Sequence, residues 1–211
     1  MLGAPGAGKG TQADRIARSR GLRKISTGDI LRAAYDDYGD DVRALLARGE
    51  FVPDEVAIGI VDRLLKQPES ERGFVLDGFP RTVPQAEALD RLMVDRGDLV
   101  VVDIAVPENE LVQRLSRRLV CAGCGRPVVD QGQPLRCEQC GGPLVQRADD
   151  DATVVLSRLR IYQERTRPVV HYYRNRVTFR AVDGMLPPDR VTDAVAAAVA
   201  AAEDVTQGGR A

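Results

Sequence analysis

Gly3-Ala-Pro-Gly-Ala-Gly-Lys-Gly-Thr-Gln12 is the stretch whose reading decides the fold. Gly3, Gly6, Gly8 and Pro5 fall within six residues, and Lys9 opens a helical pattern behind them. Glycine accepts backbone angles closed to other residues and lets a ligand approach the main chain. Such a loop turns several backbone N–H groups inward, and the helix behind it adds its positive end. Together these make a seat for phosphate, with Lys9 as the point charge for the β- and γ-phosphates of a nucleotide. Gly3, Gly8 and Lys9 match the G-x-x-x-x-G-K spacing, but Gly10 stands where Ser or Thr is usual and Thr11 comes one place late. The plain alternative is a glycine-rich turn that binds nothing. Only Met1 and Leu2 precede the loop, whereas a buried strand is expected there.

The 211 residues suffice for one domain, with or without insertions, around a real core. A hydrophobic fraction of 44% and a charged fraction of 29% suit a soluble globular chain. The net charge of −1 implies no general attraction to nucleic acid or to an anionic membrane. Lys9, Lys24 and Lys66 are the only lysines, so the remaining basic residues are arginine. Codon bias gives the same count, so only arginines inside motifs carry weight. No apolar run is long enough to span a membrane, and no secretion signal is evident. The four cysteines are therefore expected in a reducing compartment, where metal binding is favoured over disulfides.

Outward from the loop, Thr11–Arg20 reads as a helix with Ile16 and Ala17 toward the core. Arg23–Ser26 is a short strand, and Ser26-Thr-Gly-Asp29 caps a helix over Ile30–Ala34. Val42–Arg48 is a short helix closed by Gly49. Phe51-Val-Pro-Asp-Glu55 turns into another, with Val56, Ile60 and Leu64 on one face. Residues 26–65 thus read as short helices inserted between strands, a small unit over a second substrate. Gly73–Asp77 is a buried strand ending in an acid, followed by Gly78-Phe-Pro-Arg81 and a helix bearing Gln85. Acids at strand ends suit ligand sites, because parallel sheets bind at that edge. Taken singly, Thr27 is a helix cap, Asp77 a turn residue, and Arg32 and Arg81 solvated charges. Leu99–Ala105 is an apolar strand, Glu108–Arg118 a helix, and Asp151–Tyr173 a helical stretch interrupted near Pro168. Val177–Val182 is the last strand before Asp183-Gly184, and Val191–Val205 an alanine-rich helix with a frayed tail over 207–211. Alternating strands and helices predict a parallel α/β sheet with helices on both faces. His171 is expected to pack, since nothing near it forms a triad.

Cys121-Ala-Gly-Cys124 and Cys137-Glu-Gln-Cys140 are two hooks separated by twelve residues. Four thiolates fit a tetrahedral, structural Zn²⁺ with no position open for water. The spacer is a little short for the usual pattern. Two disulfides or unpaired thiols are the rival readings. A metal would hold together a small β-rich flap with little core of its own.

Gly3–Gln12, Ser26–Arg32, Leu76–Arg81 with Gln85, and the double cysteine hook span most of the chain, and together they resemble the adenylate kinases. These are nucleoside monophosphate kinases, here of the long form with a zinc-bearing lid. The Gly10–Thr11 order is that family's own. The resemblance implies a P-loop parallel sheet flanked by helices, with a core at 1–25, 66–118 and 147–211. It adds an AMP-binding insertion at 26–65 and a lid at 119–146. It implies Mg²⁺-dependent phosphoryl transfer from ATP to AMP by a cytoplasmic monomer. ATP would lie on Gly6, Ala7, Gly8, Lys9, Gly10 and Thr11, with Arg114 and Arg118 over it and its adenine near Asp183-Gly184. AMP would lie among Thr27, Arg32, Phe51, Val52, Gly78, Arg81, Gln85, Arg147 and Arg158. In the catalytic set Lys9 would contact the β- and γ-phosphates, and Arg81 with Arg32 would hold the AMP phosphate. Arg114, Arg118, Arg147 and Arg158 would neutralise the moving phosphoryl group, and Asp77 with Asp149 would orient hydrated Mg²⁺. As an alternative, arginines such as Arg114 and Arg158 serve only helix-surface salt bridges. Arg117 stands where the family usually has glycine, which bears on lid hinging. Relatives carry several apolar residues ahead of the loop, so a longer natural chain is expected. The rival functions are a kinase using UMP, CMP or GTP, and a zinc-ribbon nucleic-acid binder. The latter is disfavoured by the charge and the lack of stacking aromatics.

Overall fold

A computed structural model describes residues 1–33, 39–129 and 136–208. The expected helix end at Ala34, part of the flap and the last three tail residues lie outside them.

The strands that carry the site are parallel and short. They run β1 (Leu2–Gly3), β2 (Arg23–Ser26), β3 (Phe74–Asp77), β4 (Val101–Ala105) and β8 (Phe179–Asp183). β4 pairs with both β1 and β8, in register Leu2↔Asp103 and Val101↔Phe179. β2 pairs with β3 from Arg23↔Phe74 to Ser26↔Asp77. The expected single sheet is thus two ladders among the described residues. A two-residue β1 bonds β4 but extends no ladder to β3, and the Met1 ammonium instead donates to the Leu76 carbonyl at 3.0 Å.

Helices cover both faces. α1 (Lys9–Arg20) and α9 (Pro188–Gly208) pack Ala13, Ile16, Ala17, Val191 and Val195 on Val75, Val102 and Val182. On the other side α4 (Asp54–Leu65) and α5 (Val83–Met93) bury Val61, Leu65 and Leu89 against Ile25 and Leu76. Adjacent Val75 and Leu76 thus face opposite cores, as strand alternation requires. In α4 the fully buried positions are Ala57, Ile60, Val61 and Leu65, so Val56 and Leu64 sit at the edge of the expected face. A third cluster, Ala4, Ala7, Ile104, Leu111, Leu115, Val155 and Leu159, lies beneath the glycine loop. It is supplied by α6 (Glu108–Ser116) and α7 (Ala152–Ile161).

The remaining insertion helices are α2 (Thr27–Ala33) and α3 (Gly39–Ala47). α6 ends two residues short of the expected helix. Arg118 instead begins β5 (Arg118–Cys121), the middle strand of an antiparallel flap with β6 (Pro127–Val129) and β7 (Leu144–Gln146). Arg117, at the join, has φ −100° and is exposed, so its backbone does not call for glycine. Before α8 (Arg167–Tyr173) the chain widens into a π-turn over Tyr162–Thr166, and Pro168 falls in the first turn of α8. The widened turn gives the proline ring room without breaking the helical run. His171 is exposed on α8, not packed as expected. Gln207 and Gly208 complete α9, where a frayed tail was expected. No described helix is long and apolar enough to cross a membrane.

Candidate functional site

The loop between β1 and α1 turns on glycines in the left-handed region, Gly6 at φ 84° and Gly8 at φ 93°, where side chains are strained. Ala7 N–H donates to the Ala4 carbonyl at 3.1 Å, and Gly8 forms the helix cap, so Lys9, Gly10 and Thr11 open α1. The uncapped N–H groups at that end face a site for an anion. Lys9 Nζ donates to the Ala4 carbonyl at 2.8 Å, folded over the loop. Burial pushes its ammonium down to about 8, against the opposing pull of Asp77 and with Arg81, Arg158 and Arg118 adding to the fall. A Cβ on Gly10 would stand 3.1 Å from Asp77 Oδ2. A side chain there would have to push the carboxylate at the end of β3 aside by a few tenths of an ångström.

A second group of cationic side chains converges beside Gly28, in the first turn of α2. A Cβ on Gly28 would stand 3.2 Å from both terminal nitrogens of Arg32 and 3.5 Å from one of Arg81. Two guanidinium groups converging on one glycine repel unless an anion lies between them. Arg32 also pairs with Asp29. Arg81 Nε donates to the Gly78 carbonyl at 2.7 Å, as does Thr27 Oγ1 at 2.9 Å. Gly78 has φ 78°, and a Cβ there would stand 2.9 Å from Arg81, so glycine is required. Burial lowers the Arg81 pKa, partly offset by Asp77. Its guanidinium lies 5.1 Å from the Phe51 ring centroid, and Val52 is buried beside it in sequence. Thr166 of the π-turn donates to the Arg81 carbonyl at 2.9 Å. Gln85 is buried, accepting from Arg81 N–H at 2.8 Å and donating to Asp54 Oδ1 at 2.7 Å.

The third element is an arginine–aspartate cluster where the flap rejoins α7. Arg118 grips the fully buried Asp150 with Nε at 2.7 Å and a terminal nitrogen at 2.5 Å. Arg147 grips Asp149 likewise at 2.8 and 2.6 Å. Arg158 reaches Asp150 at 3.0 Å and Asp149 at 3.3 Å. Burial alone would raise the Asp149 carboxyl, but Arg147 and Arg158 hold it at about 2. Burial and the neighbouring arginines bring Arg158 down to about 10, against Asp149. Gly49 (φ 72°) packs so close to Arg158 that a Cβ there would stand 2.5 Å from its Cγ. The insertion thus touches this cluster.

The structure therefore gathers Lys9, Asp77, Arg81, Arg118, Arg147, Arg158 and Asp149, and brings Thr27, Gly78 and Gln85 around Arg81. It does not bring Arg114 into the cluster, since Arg114 donates to Glu110 at 2.8 Å. Both oxygens of Asp149 are held by arginine. Sequence reasoning gave no role to Asp54, Thr82 or Thr166, and placed Asp150 only among the charges flanking the flap, as a salt-bridge partner. The Asp149–Asp150 doublet between Arg147 and Arg158 was the signal for Asp150, and the Thr82-Val-Pro-Gln85 capping spacing the signal for Thr82; Asp54 and Thr166 carry none.

In the flap the four thiols of Cys121, Cys124, Cys137 and Cys140 lie within 4.8 Å of one another. Zinc bonded to four sulfurs at about 2.3 Å sets them about 3.8 Å apart; Cys121 and Cys140 are 3.3 Å apart and Cys124 and Cys137 3.7 Å. Backbone N–H groups of Gly123 and Cys124 point at Cys121 Sγ. A Cβ on Gly142 would stand 2.9 Å from that sulfur, so glycine lets the chain close round it. Donor set and spacing fit a structural metal.

The adenylate kinase family model matches residues 1–178. The chain belongs to the adenylate kinase family, whose members are phosphotransferases acting on nucleoside monophosphates. It is 44% identical to an adenylate kinase of Archaeoglobus fulgidus over 193 residues, 87% of this chain and 89% of that one. It is 46% identical to that of Moorella thermoacetica over 197 residues, with the same coverage. With that of Citrifermentans bemidjiense it shares 42% over 210 residues, 95% of this chain and 98% of the other.

Proposed function

We propose that the chain transfers the terminal phosphoryl group of ATP reversibly to AMP, giving two ADP. The observation that carries this reading is the meeting of two anion sites, the Lys9 loop and the Arg32–Arg81 fork, beside one arginine cluster. Phosphoryl transfer asks for positioning and charge stabilisation, with little covalent chemistry. The triphosphate rests on Gly6–Thr11, with Lys9 swinging from the Ala4 carbonyl onto its terminal phosphates. The AMP phosphate lies between Arg32 and Arg81, beside Thr27 and Gly78, and its base lies by Phe51, Val52 and Gln85. Arg118, Arg147 and Arg158 turn from their aspartates toward the moving group, and Arg114 joins from α6. Asp77 would hold the water shell of Mg²⁺, which neutralises phosphate charge when bound; Asp149 takes part once Arg147 releases it.

The chain divides into a core at 1–25, 66–118 and 147–211, an AMP-binding insertion at 26–65 and a lid at 119–146. The start of β5 supports moving the lid's first residue to Arg118. Closure expels water that would otherwise accept the phosphoryl group. The lid thiols hold Zn²⁺ as a structural ion, which suits a reducing, cytoplasmic compartment. The chain is taken to act as a monomer. A coupled ADP-formation assay with AMP, CMP, UMP and GMP as acceptors tests the proposal. AMP is expected to be used best; faster turnover of CMP or UMP would overturn it.

A further inference from the structure

The Gln85 carboxamide has partners of fixed polarity on both ends. Its Oε1 accepts from the Arg81 backbone N–H, which can only donate. Its Nε2 donates to Asp54 Oδ1, and a carboxylate only accepts. Asp54 is itself held by Thr82, whose hydroxyl donates to the other carboxylate oxygen at 3.0 Å. Thr82 also caps α5, accepting from Gln85 N–H at 3.3 Å. A buried carboxamide so placed cannot turn over without setting N–H against N–H and carbonyl against carboxylate.

Among the described residues each end of the carboxamide keeps one free position, a lone pair on Oε1 and an N–H on Nε2. That pairing of acceptor and donor matches adenine, whose N6 donates and whose N1 accepts. Hypoxanthine and guanine present the reverse, with O6 accepting and N1–H donating. A Gln85 free to turn over would serve either kind of base.

We propose that Asp54 is a specificity-determining positioning residue, fixing the polarity of Gln85 so that the acceptor site takes a 6-aminopurine monophosphate and rejects a 6-oxopurine. Of the two locking partners the carboxylate is the one supplied by a side chain, so it is the one substitution can change. It ties the first turn of α4, in the insertion, to the first turn of α5. This rests on the proposed reaction and on Gln85 meeting the base.

The test compares kcat/KM for AMP and for inosine monophosphate, which differ only at this edge, in wild type and D54N with ATP as donor. Asparagine is isosteric but can donate as well as accept. Wild type should prefer AMP strongly, since a site built for one polarity rejects the other. D54N should narrow the ratio by about tenfold or more, because a turned Gln85 keeps a partner there. The change should lie in the acceptor KM, with the KM for ATP unmoved. An unchanged ratio in folded D54N overturns the role of Asp54. A wild-type chain that phosphorylates neither monophosphate overturns the proposed reaction instead. D54S gives the same comparison if D54N does not fold. A third measurement needs no variant. In the wild-type NMR spectrum one Gln85 side-chain N–H proton should be shifted downfield and slow to exchange. Two equivalent, fast-exchanging protons there would also overturn the proposal.

Discussion

The glycine loop and the arginine–aspartate cluster, both proposed to meet phosphate, are built by opposite means. The loop is one contiguous stretch, and its binding groups are backbone N–H groups fixed by left-handed glycines at Gly6 and Gly8. The cluster draws Arg118, Arg147 and Arg158 from both sides of the flap and neutralises them with Asp149 and Asp150. A backbone site stands ready without a partner, because N–H dipoles carry no net charge. Buried guanidinium groups need a counter-ion in every state, so on the proposed reading the cluster would exchange aspartate for phosphate when nucleotide binds.

The sharpest way to break this comparison is Lys9→Met. Lys9 is the loop's one full charge, and its loss should cut turnover by about 10²-fold or more with melting unchanged. Near-normal turnover in the coupled assay would mean that the backbone alone suffices. Asp150→Asn tests the cluster. Removing a fully buried carboxylate from Arg118 and Arg158 should destabilise the fold by about 3–5 kcal/mol in urea unfolding. A change under about 1 kcal/mol would place the pair among exposed, weak contacts.

Zinc chelation separates the flap from both. It should lower the melting temperature more than the initial rate measured at low temperature. Immediate loss of activity with unchanged melting would point to a catalytic metal. The smallest expected effect is in pH. With its ammonium at about 8, Lys9 is charged below that value and loses its proton above it. kcat/KM for ATP should therefore fall as pH rises past about 8, since this ratio reports the free enzyme. A flat profile to pH 9.5, about where an ordinary lysine is still charged, would show that Lys9 is not buried as described.

The loop, the Asp77 strand and the cysteine hooks were legible because each is local. Glycine spacing, an apolar run and paired cysteines carry their chemistry within a few residues. The identity of the arginines was legible too, but not their partners. Arg118 read as a helix end and is a strand start, because the flap's pairing of β5 with β6 and β7 outweighs the helical pattern of α6. Arg114 read as a cluster member and pairs within its own helix, where Glu110 lies one turn away. Asp54 read only as part of the turn into a helix, and its bond to Gln85 joins residues 31 apart.

By itself the sequence determined the backbone chemistry: where the chain turns, where the glycine loop leads into a helix, and which thiols gather. Steric limits on φ and short-range spacing act before the chain is folded, so they are written residue by residue. The tertiary structure alone decided which acid faces which arginine and which way the Gln85 amide points. Those choices depend on burial, where an unpaired charge or a misdirected dipole has no water to turn to.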